Sequence, residues 1–165
     1  MSLDPNLPAS RRPPIDPADE LGMRHAIALA ARALAAGEVP VGAVVIRSGQ
    51  PIAEAHNETV RRRDPTAHAE LLAIRRALEV SGSDRLDDAT LYVTLEPCAQ
   101  CAGAIVLAKV GRVIYGAPDP KAGMAGSIGE LLRHPALNHR PEVVGGVLGE
   151  ECGALLRGFF GSKRG

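Results

Sequence analysis

Thr66-Ala-His68-Ala-Glu70 and, further along, Glu96-Pro-Cys98-Ala-Gln-Cys101 are the stretches around which the rest of this chain is read. His68, Cys98 and Cys101 are three soft or borderline ligands. Such a set suits a zinc ion that keeps its fourth position open for water. Glu70 is not needed as a ligand, and a free carboxylate beside an open zinc is what metal-assisted hydrolysis requires. Cys98 and Cys101 are three apart on a helix, so both sulfurs face the same way. Pro97 before them fits a helix start. His68 and Glu70 are two apart, a spacing that serves one site only in a first turn, where side chains reach past the helix tip. The metal is therefore expected between two helix N-termini, whose positive dipole ends favour thiolate over thiol and hydroxide over water.

Composition bounds the remainder. A chain of 165 residues with 45% hydrophobic residues and no Trp makes one domain whose core is built from Ala, Val, Leu and Ile. Nineteen basic and nineteen acidic residues cancel, so bulk charge gives no argument for nucleic acid, and any RNA contact must come from local patches. Three cysteines, two of them in C-x-x-C, make no disulfide framework and read as a reduced protein with a metal site. No signal peptide or membrane-length apolar run is visible, so the expectation is a soluble cytoplasmic protein with no membrane partner.

Residues 1–17 hold five of the thirteen prolines and read as a disordered or loosely draped arm, with residues 18–165 as the folded domain. Asp16-Pro-Ala-Asp starts a helix carrying Leu21, Ile27, Leu29 and Leu34 and ending near Gly37. Val39 to Ile46 and Ile52 to His56 predict a hairpin around Ser48-Gly-Gln-Pro51. Arg61 to Asp64 reads as a polar loop beside the motif. Asp64-Pro-Thr66 opens a helix with Leu71, Leu72, Ile74 and Leu78 on its apolar side. Thr90 to Leu95 is a strand, Cys98 to Lys109 the second metal-site helix, and Arg112 to Tyr115 another strand. Gly116 to Gly129 is an irregular loop. A short helix at Glu130 to Arg133, a strand at Glu142 to Val144 and a helix from Gly149 to Phe160 close the chain. Strands alternating with helices give an α/β layered domain. Cys152 lies among Ala154, Leu155 and Leu156 and reads as a small buried hydrophobe, not a ligand.

The spacing H-x-E followed by P-C-x-x-C is the signature of zinc-dependent nucleobase deaminases. In that chemistry zinc lowers the pKa of bound water to about 7, and Glu70 takes the water's proton and passes it to a ring nitrogen and then to the leaving amine. Beyond the motif, the sequence resembles the bacterial tRNA-specific adenosine deaminases, from about Met23 to Phe160. The resemblance is carried by Glu38-Val-Pro-Val-Gly-Ala43, Asp64 to Glu70, Leu91-Tyr-Val-Thr-Leu-Glu-Pro-Cys98, Gly126-Ser127, Asn138-His139-Arg140 and Phe159-Phe160. It implies a three-layer α/β/α fold of the cytidine deaminase type with a mixed five-stranded sheet. It implies conversion of the wobble adenosine of an arginine tRNA anticodon to inosine, with the anticodon stem-loop bound by a homodimer. It implies Zn2+ on His68, Cys98 and Cys101, one per subunit, with Glu70 as proton shuttle. Asn57 matches the asparagine that holds the flipped nucleotide. The backbone near Ala67 and Pro97 would line the base pocket, Val41 would pack on it, and Asp119 and Lys121 match a loop that touches RNA. Gln100 departs from the pattern, standing where a methionine is usual. Pro118 and Pro120 flank Asp119 where an arginine and a small residue are expected.

Two other readings compete. A free base or nucleotide, such as guanine or a pyrimidine nucleotide, could replace the tRNA, in keeping with the neutral overall charge. A non-catalytic, zinc-stabilised RNA-binding subunit is the alternative outside enzymes, but it gives Glu70 nothing to do. The arginine run Arg61 to Arg63 reads either as a solvated loop or, as a cluster beside the site, as a phosphate contact.

Overall fold

The structure, a computed structural model, describes residues 7–164. Of the proline-rich arm, residues 1–6 lie outside the described residues, and the next segment holds a single 3-10 turn at Ala9–Arg11. Helix α1 (Pro17–Ala35) starts where Asp16 accepts the Ala18 amide at 2.8 Å, with proline at its first position. Its buried stripe is Met23, Ala26, Leu29, Ala30 and Ala33, whereas Leu21 is 71% exposed. Of the expected apolar residues Leu29 is buried, while Leu21 and Leu34 are exposed, and alanines take the positions where the helix comes closest to the sheet. A Cβ at Gly42, on the strand beneath, would stand 2.1 Å from the Ala26 carbonyl oxygen.

Strand β1 (Gly42–Arg47) and strand β2 (Gln50–His56) form the predicted hairpin. β1 begins three residues later than expected, since Pro40 lacks an amide hydrogen and the Val41 amide turns back to the Val39 carbonyl at 2.8 Å. The turn is shorter than expected. Ser48 and Gly49 both have positive φ, 50° and 76°, the geometry that matches strand twist in a two-residue hairpin. Pro51 is accommodated because β2 is an edge strand and the register shifts opposite Val45 and Ile46.

Arg61 to Asp64 is not simply a loop. A helical turn, α2 (Thr59–Arg62), forms there because the buried Glu38 carboxylate accepts the Val60 and Arg61 amides, both at 2.8 Å. Helix α3 (Ala69–Ser81) opens later than the Asp64–Thr66 start predicted for it. The Asp64 carboxylate takes the Thr66 amide at 2.9 Å and its hydroxyl at 2.6 Å, a side-chain turn that postpones the helix and leaves His68 at the cap. Strand β3 (Ala89–Leu95) leads into helix α4 (Ala99–Leu107), which ends two residues short of the expectation, and Lys109 sits at φ 58°. Strand β4 (Arg112–Ala117), strand β5 (Glu142–Val144) and helix α5 (Gly149–Arg164) complete the chain. The helix expected at Glu130–Arg133 is absent. Glu130 instead bridges Ala125, and the Leu131 amide bonds the Met124 carbonyl at 2.9 Å.

The sheet order is β2-β1-β3-β4-β5, with β3, β4 and β5 parallel and β1 antiparallel to both neighbours. Side chains alternate across it. Val44, Tyr92 and Ile114 face α1 and α5, packing on Met23, Ala26 and Cys152. Val45, Leu91, Val93 and Val113 face the other way, packing with Ala73 and Ile74 of α3 and Ile105 of α4. Each fully buried Val, Leu or Ile contributes about 1.5–3 kcal/mol. The result is the expected three-layer α/β/α domain on a mixed five-stranded sheet. Cys152 is buried, as its sequence context indicates, and closes on Gly116, where a Cβ would meet its sulfur at 2.4 Å. A polar tie crosses the α1 side. Tyr92 donates to Asp19 at 2.8 Å, and Arg112 holds the same carboxylate through two bonds of 3.1 Å while reaching Glu142 at 3.0 Å.

Candidate active site

The donors meet where the tips of α3 and α4 converge. His68 and Cys98 are the residues immediately before the two helices, and Cys101 and Glu70 lie in the first turns. His68 Nδ1 stands 3.5 Å from the sulfur of Cys98 and 3.5 Å from that of Cys101. All three donor atoms lie within 4.8 Å of one another. A tetrahedral zinc with Zn–S of about 2.3 Å and Zn–N of about 2.0–2.1 Å requires a nitrogen–sulfur separation of about 3.5 Å. The donor set therefore fits zinc in type and spacing, with one coordination position left over. Gln100 ties the two tips together, its amide donating to the Thr66 carbonyl at 2.9 Å.

Charge in this corner follows from burial and contact. The hydrogen bond from Cys101, reinforced by His68, pulls the Cys98 thiol down to about 3 against the effect of burial. Cys101 moves the opposite way, held up by its bond to Cys98 and by burial. The bond to Cys98 raises His68 against burial, and the nearby Glu70 charge adds to the rise. Burial pushes the Glu70 carboxyl up to about 7, although its own amide and His68 pull it down. A carboxyl balanced near neutrality can both accept and return a proton.

Beside the corner opens a cavity of about 380 Å³, within the range of small-ligand sites. Val41, Asn57, His68, Glu70, Cys98 and Asp119 all line it, with Val39, Thr59, Pro65 and Leu95. It sits beyond the carboxyl end of β3, the usual place for ligands in parallel sheets. Asn57 is held by its amide on the Val41 carbonyl at 3.0 Å, and its own carbonyl contacts the His56 ring at 2.9 Å. Its side-chain oxygen is buried with no hydrogen-bond partner. A buried, unmatched acceptor facing a cavity is the complement of a ligand N–H or O–H.

A MafB19-like deaminase family model matches residues 18–164. The tRNA-specific adenosine deaminase of Bacillus subtilis (strain 168) is 51% identical over 146 residues, covering 88% of this chain and 91% of that protein. The chain belongs to the tRNA-specific adenosine deaminase family. A solved structure from work on A-to-I editing by tRNA:A34 deaminases superposes with a TM-score of 0.79 at 43% identity, covering 82% of this chain and 99% of that one. A guanine deaminase from Nitrosomonas europaea superposes with a TM-score of 0.75 at 26% identity, covering 96% of each chain.

Within this member of the deaminase family, several expected pocket residues stand apart from the cavity wall. Ala67 and Pro97 are buried next to it, their carbonyls bonding the Glu58 amide at 3.0 Å and the Met124 amide at 2.9 Å. Lys121 is exposed outside it, where its amide bonds the Asp119 carboxylate at 3.0 Å. Among the buried acids with no role assigned from sequence, two brace this region. Glu38 pins α2, as described above. Glu96 accepts the amides of Asp119 at 3.0 Å, Ala125 at 2.9 Å and Ser127 at 3.1 Å, together with the Ser127 hydroxyl. The irregular loop, which starts at Pro118 because β4 takes in Gly116 and Ala117 where a loop was expected, is thus wrapped around one carboxylate. Gly123 packs so closely that a Cβ would stand 2.3 Å from it. The signal for Glu96 was its place at the end of a buried apolar strand, where a charge persists only if it is fully bonded.

Proposed function

We propose that this chain hydrolytically deaminates adenosine to inosine at the wobble position of a tRNA anticodon, with an arginine tRNA as substrate. The observation that carries this is a buried Glu70 carboxyl on the wall of a nucleobase-sized cavity, beside a corner of one imidazole and two sulfurs. His68, Cys98 and Cys101 would hold one zinc ion per subunit. Zinc in such a site supplies activation of a water molecule at neutral pH. The protein's part is proton handling and placement. Glu70 accepts one proton of the attacking water and delivers it to N1 of the purine ring as C6 becomes tetrahedral, then takes the remaining proton of the added hydroxyl and gives it to the amine, which leaves as ammonia while the C6 carbonyl of inosine forms. Asn57 offers its free oxygen to a donor on the nucleotide, Val41 gives the base an apolar wall, and Asp119 closes the far side. Lys121, exposed beside that wall, is free to meet RNA, while Ala67 and Pro97 support the wall from behind.

An unpaired base in an anticodon loop costs little to extrude, which favours the reaction there. Among the described residues no helix is long and apolar enough to cross a membrane; the cytoplasm is proposed as the site of action because tRNA is the proposed substrate. We further propose that the anticodon stem-loop is bound by a homodimer, and that residues 18–165 form the deaminase domain with residues 1–17 as an arm outside it. The likeness to a guanine deaminase gives a second reading, in which a free purine fills the same cavity. The test is inosine formation at the wobble base of transcribed arginine tRNA, set against ammonia release from free guanine and adenine. The proposal expects inosine on tRNA and no turnover of free bases, and turnover of guanine with tRNA untouched would replace it with the second reading.

A further inference from the structure

Five arginines beside the cavity rim take no part in the chemistry above, yet they lie in one region of α2 and α3. Arg61, Arg62 and Arg63 follow one another through α2 and its end, and Arg75 and Arg76 lie on α3. Their fields overlap, since Arg62 and Arg75 both act on Asp64, and Arg62 and Arg76 both act on Glu58. Three of the guanidinium groups thus act on two carboxylates, and Arg61 and Arg63 add their charge beside them, on a chain whose formal net charge is zero. Internal bonds use up part of the set. Glu58 pairs with Arg62, and Arg76 donates to the Glu54 carbonyl at 2.6 Å. Arg61, Arg63 and Arg75 are exposed and form no salt bridge or side-chain hydrogen bond among the described residues.

The support beneath them is rigid. The Glu38 carboxylate holds the amides of Val60 and Arg61. The Asp64 amide bonds back to the Thr59 carbonyl at 3.1 Å, and Arg63 occupies the left-handed region at φ 50°. A conformation unfavourable for a side-chain-bearing residue is kept where the surroundings fix it. A second cavity, lined by Glu58, Arg61, Arg62 and Arg76, opens within the patch. The patch is continuous with the substrate cavity, for Thr59 of the same turn and Pro65 just beyond it both line that cavity. A free base needs nothing outside the cavity. A nucleotide within a strand brings charged backbone across the rim on either side.

We propose that Arg61, Arg63 and Arg75 hold the phosphodiester backbone of the RNA strand flanking the nucleotide seated in the cavity. This rests on the reading of the substrate as RNA. Arg62 and Arg76, tied to Glu58 and Glu54, set the spacing of the patch from within. The contact is sequence-independent and strengthens at low ionic strength.

The test uses the full chain and a fluorescein-labelled anticodon stem-loop RNA, with Kd followed from 50 to 200 mM salt, at about those values. Arg61→Gln/Arg63→Gln should raise Kd about tenfold and lower the slope of log K against log salt by about 0.7 for each phosphate no longer neutralised. It should leave kcat at saturating RNA and the thermal midpoint unchanged. Arg61→Lys/Arg63→Lys, which keeps the charge, should retain most of the salt slope. Wild-type Kd and slope in the glutamine variant would overturn the proposal. So would displacement of the RNA by inorganic phosphate well below the chloride concentration of equal effect, which would make the patch a small-anion site. RNA binding with this salt response but without inosine formation would sink the functional reading and leave the patch standing. Inosine formation with an unchanged slope in the variant would do the reverse.

Discussion

The cavity has two walls of opposite construction. One is the donor corner, where His68, Glu70, Cys98 and Cys101 come from two short segments at the tips of α3 and α4. The other is the stretch from Asp119 to Ser127, which belongs to no helix or strand and hangs from the buried Glu96 carboxylate. Rigid helix tips place reacting groups with few residues. A loop gathered on a single acceptor places a recognition surface, and it depends on hydrogen bonds that cross the fold. Damage to the first wall should therefore abolish chemistry, and damage to the second should weaken substrate binding while sparing the metal site.

The largest effect is expected in the donor corner. Cys98→Ala should leave no zinc on the purified protein and no measurable inosine formation, checked by elemental analysis and by assay on the same sample. Retention of one zinc per chain would remove Cys98 from the ligand set. At the second wall, Glu96→Ala strips the acceptor from three amides, and a single buried unsatisfied group costs about 1–3 kcal/mol. The expected outcome is a KM for RNA raised about tenfold, a lower urea midpoint and an unchanged zinc count. Loss of zinc would mean that the two walls are not separable.

Arg112→Met tests the comparison from outside both walls. Burial alone would raise the Asp19 carboxyl, but Arg112 and Tyr92 outweigh it and hold it below the ordinary value. A lowered folded value contributes stability above the unfolded value of about 3.9, and that stability is lost as the pH falls through the folded value. The variant should lose about 1–3 kcal/mol at pH 7, with the gap to wild type narrowing as the pH drops below about 4. Urea unfolding at both pH values checks this, and kcat/KM should not move. The smallest effect belongs to Gln100→Met. It removes one tie between the helix tips, worth about 1 kcal/mol or less, and should make zinc extraction by a chelator a few-fold faster without changing the stoichiometry.

The contrast between the walls also explains what could be read from the sequence. Metal ligation imposes residue types and spacings, so His68, Cys98 and Cys101 were legible as a set, and Pro97 marked one helix tip, whereas Asp64-Pro-Thr66 suggested too early a start for α3. Alternating Val, Leu and Ile made the inner strands legible. Glu96 was visible only as part of a motif, because its partners lie more than twenty residues away and no local pattern announces them. The same holds for α2. Arg61 to Asp64 has the composition of a loop, and the helical turn exists only because Glu38 supplies an acceptor from a distant segment. At Glu130–Arg133 a short helix was expected. There the backbone is committed instead to Met124 and Ala125, and Pro135 stands close behind. In α1 the expected Leu21 and Leu34 face outward, while Leu29 is buried with Met23 and the small Ala26, Ala30 and Ala33, where the helix backbone comes close to Gly42 of the sheet.

Glu70→Gln tests the central claim most directly. Wild type and variant are assayed for inosine at the wobble base of arginine tRNA, with zinc counted in the same preparations. The account predicts one zinc per chain in both and a rate at least about 10³-fold lower in the variant. Turnover near the wild-type rate with zinc in place would show that this carboxyl does not carry the proton.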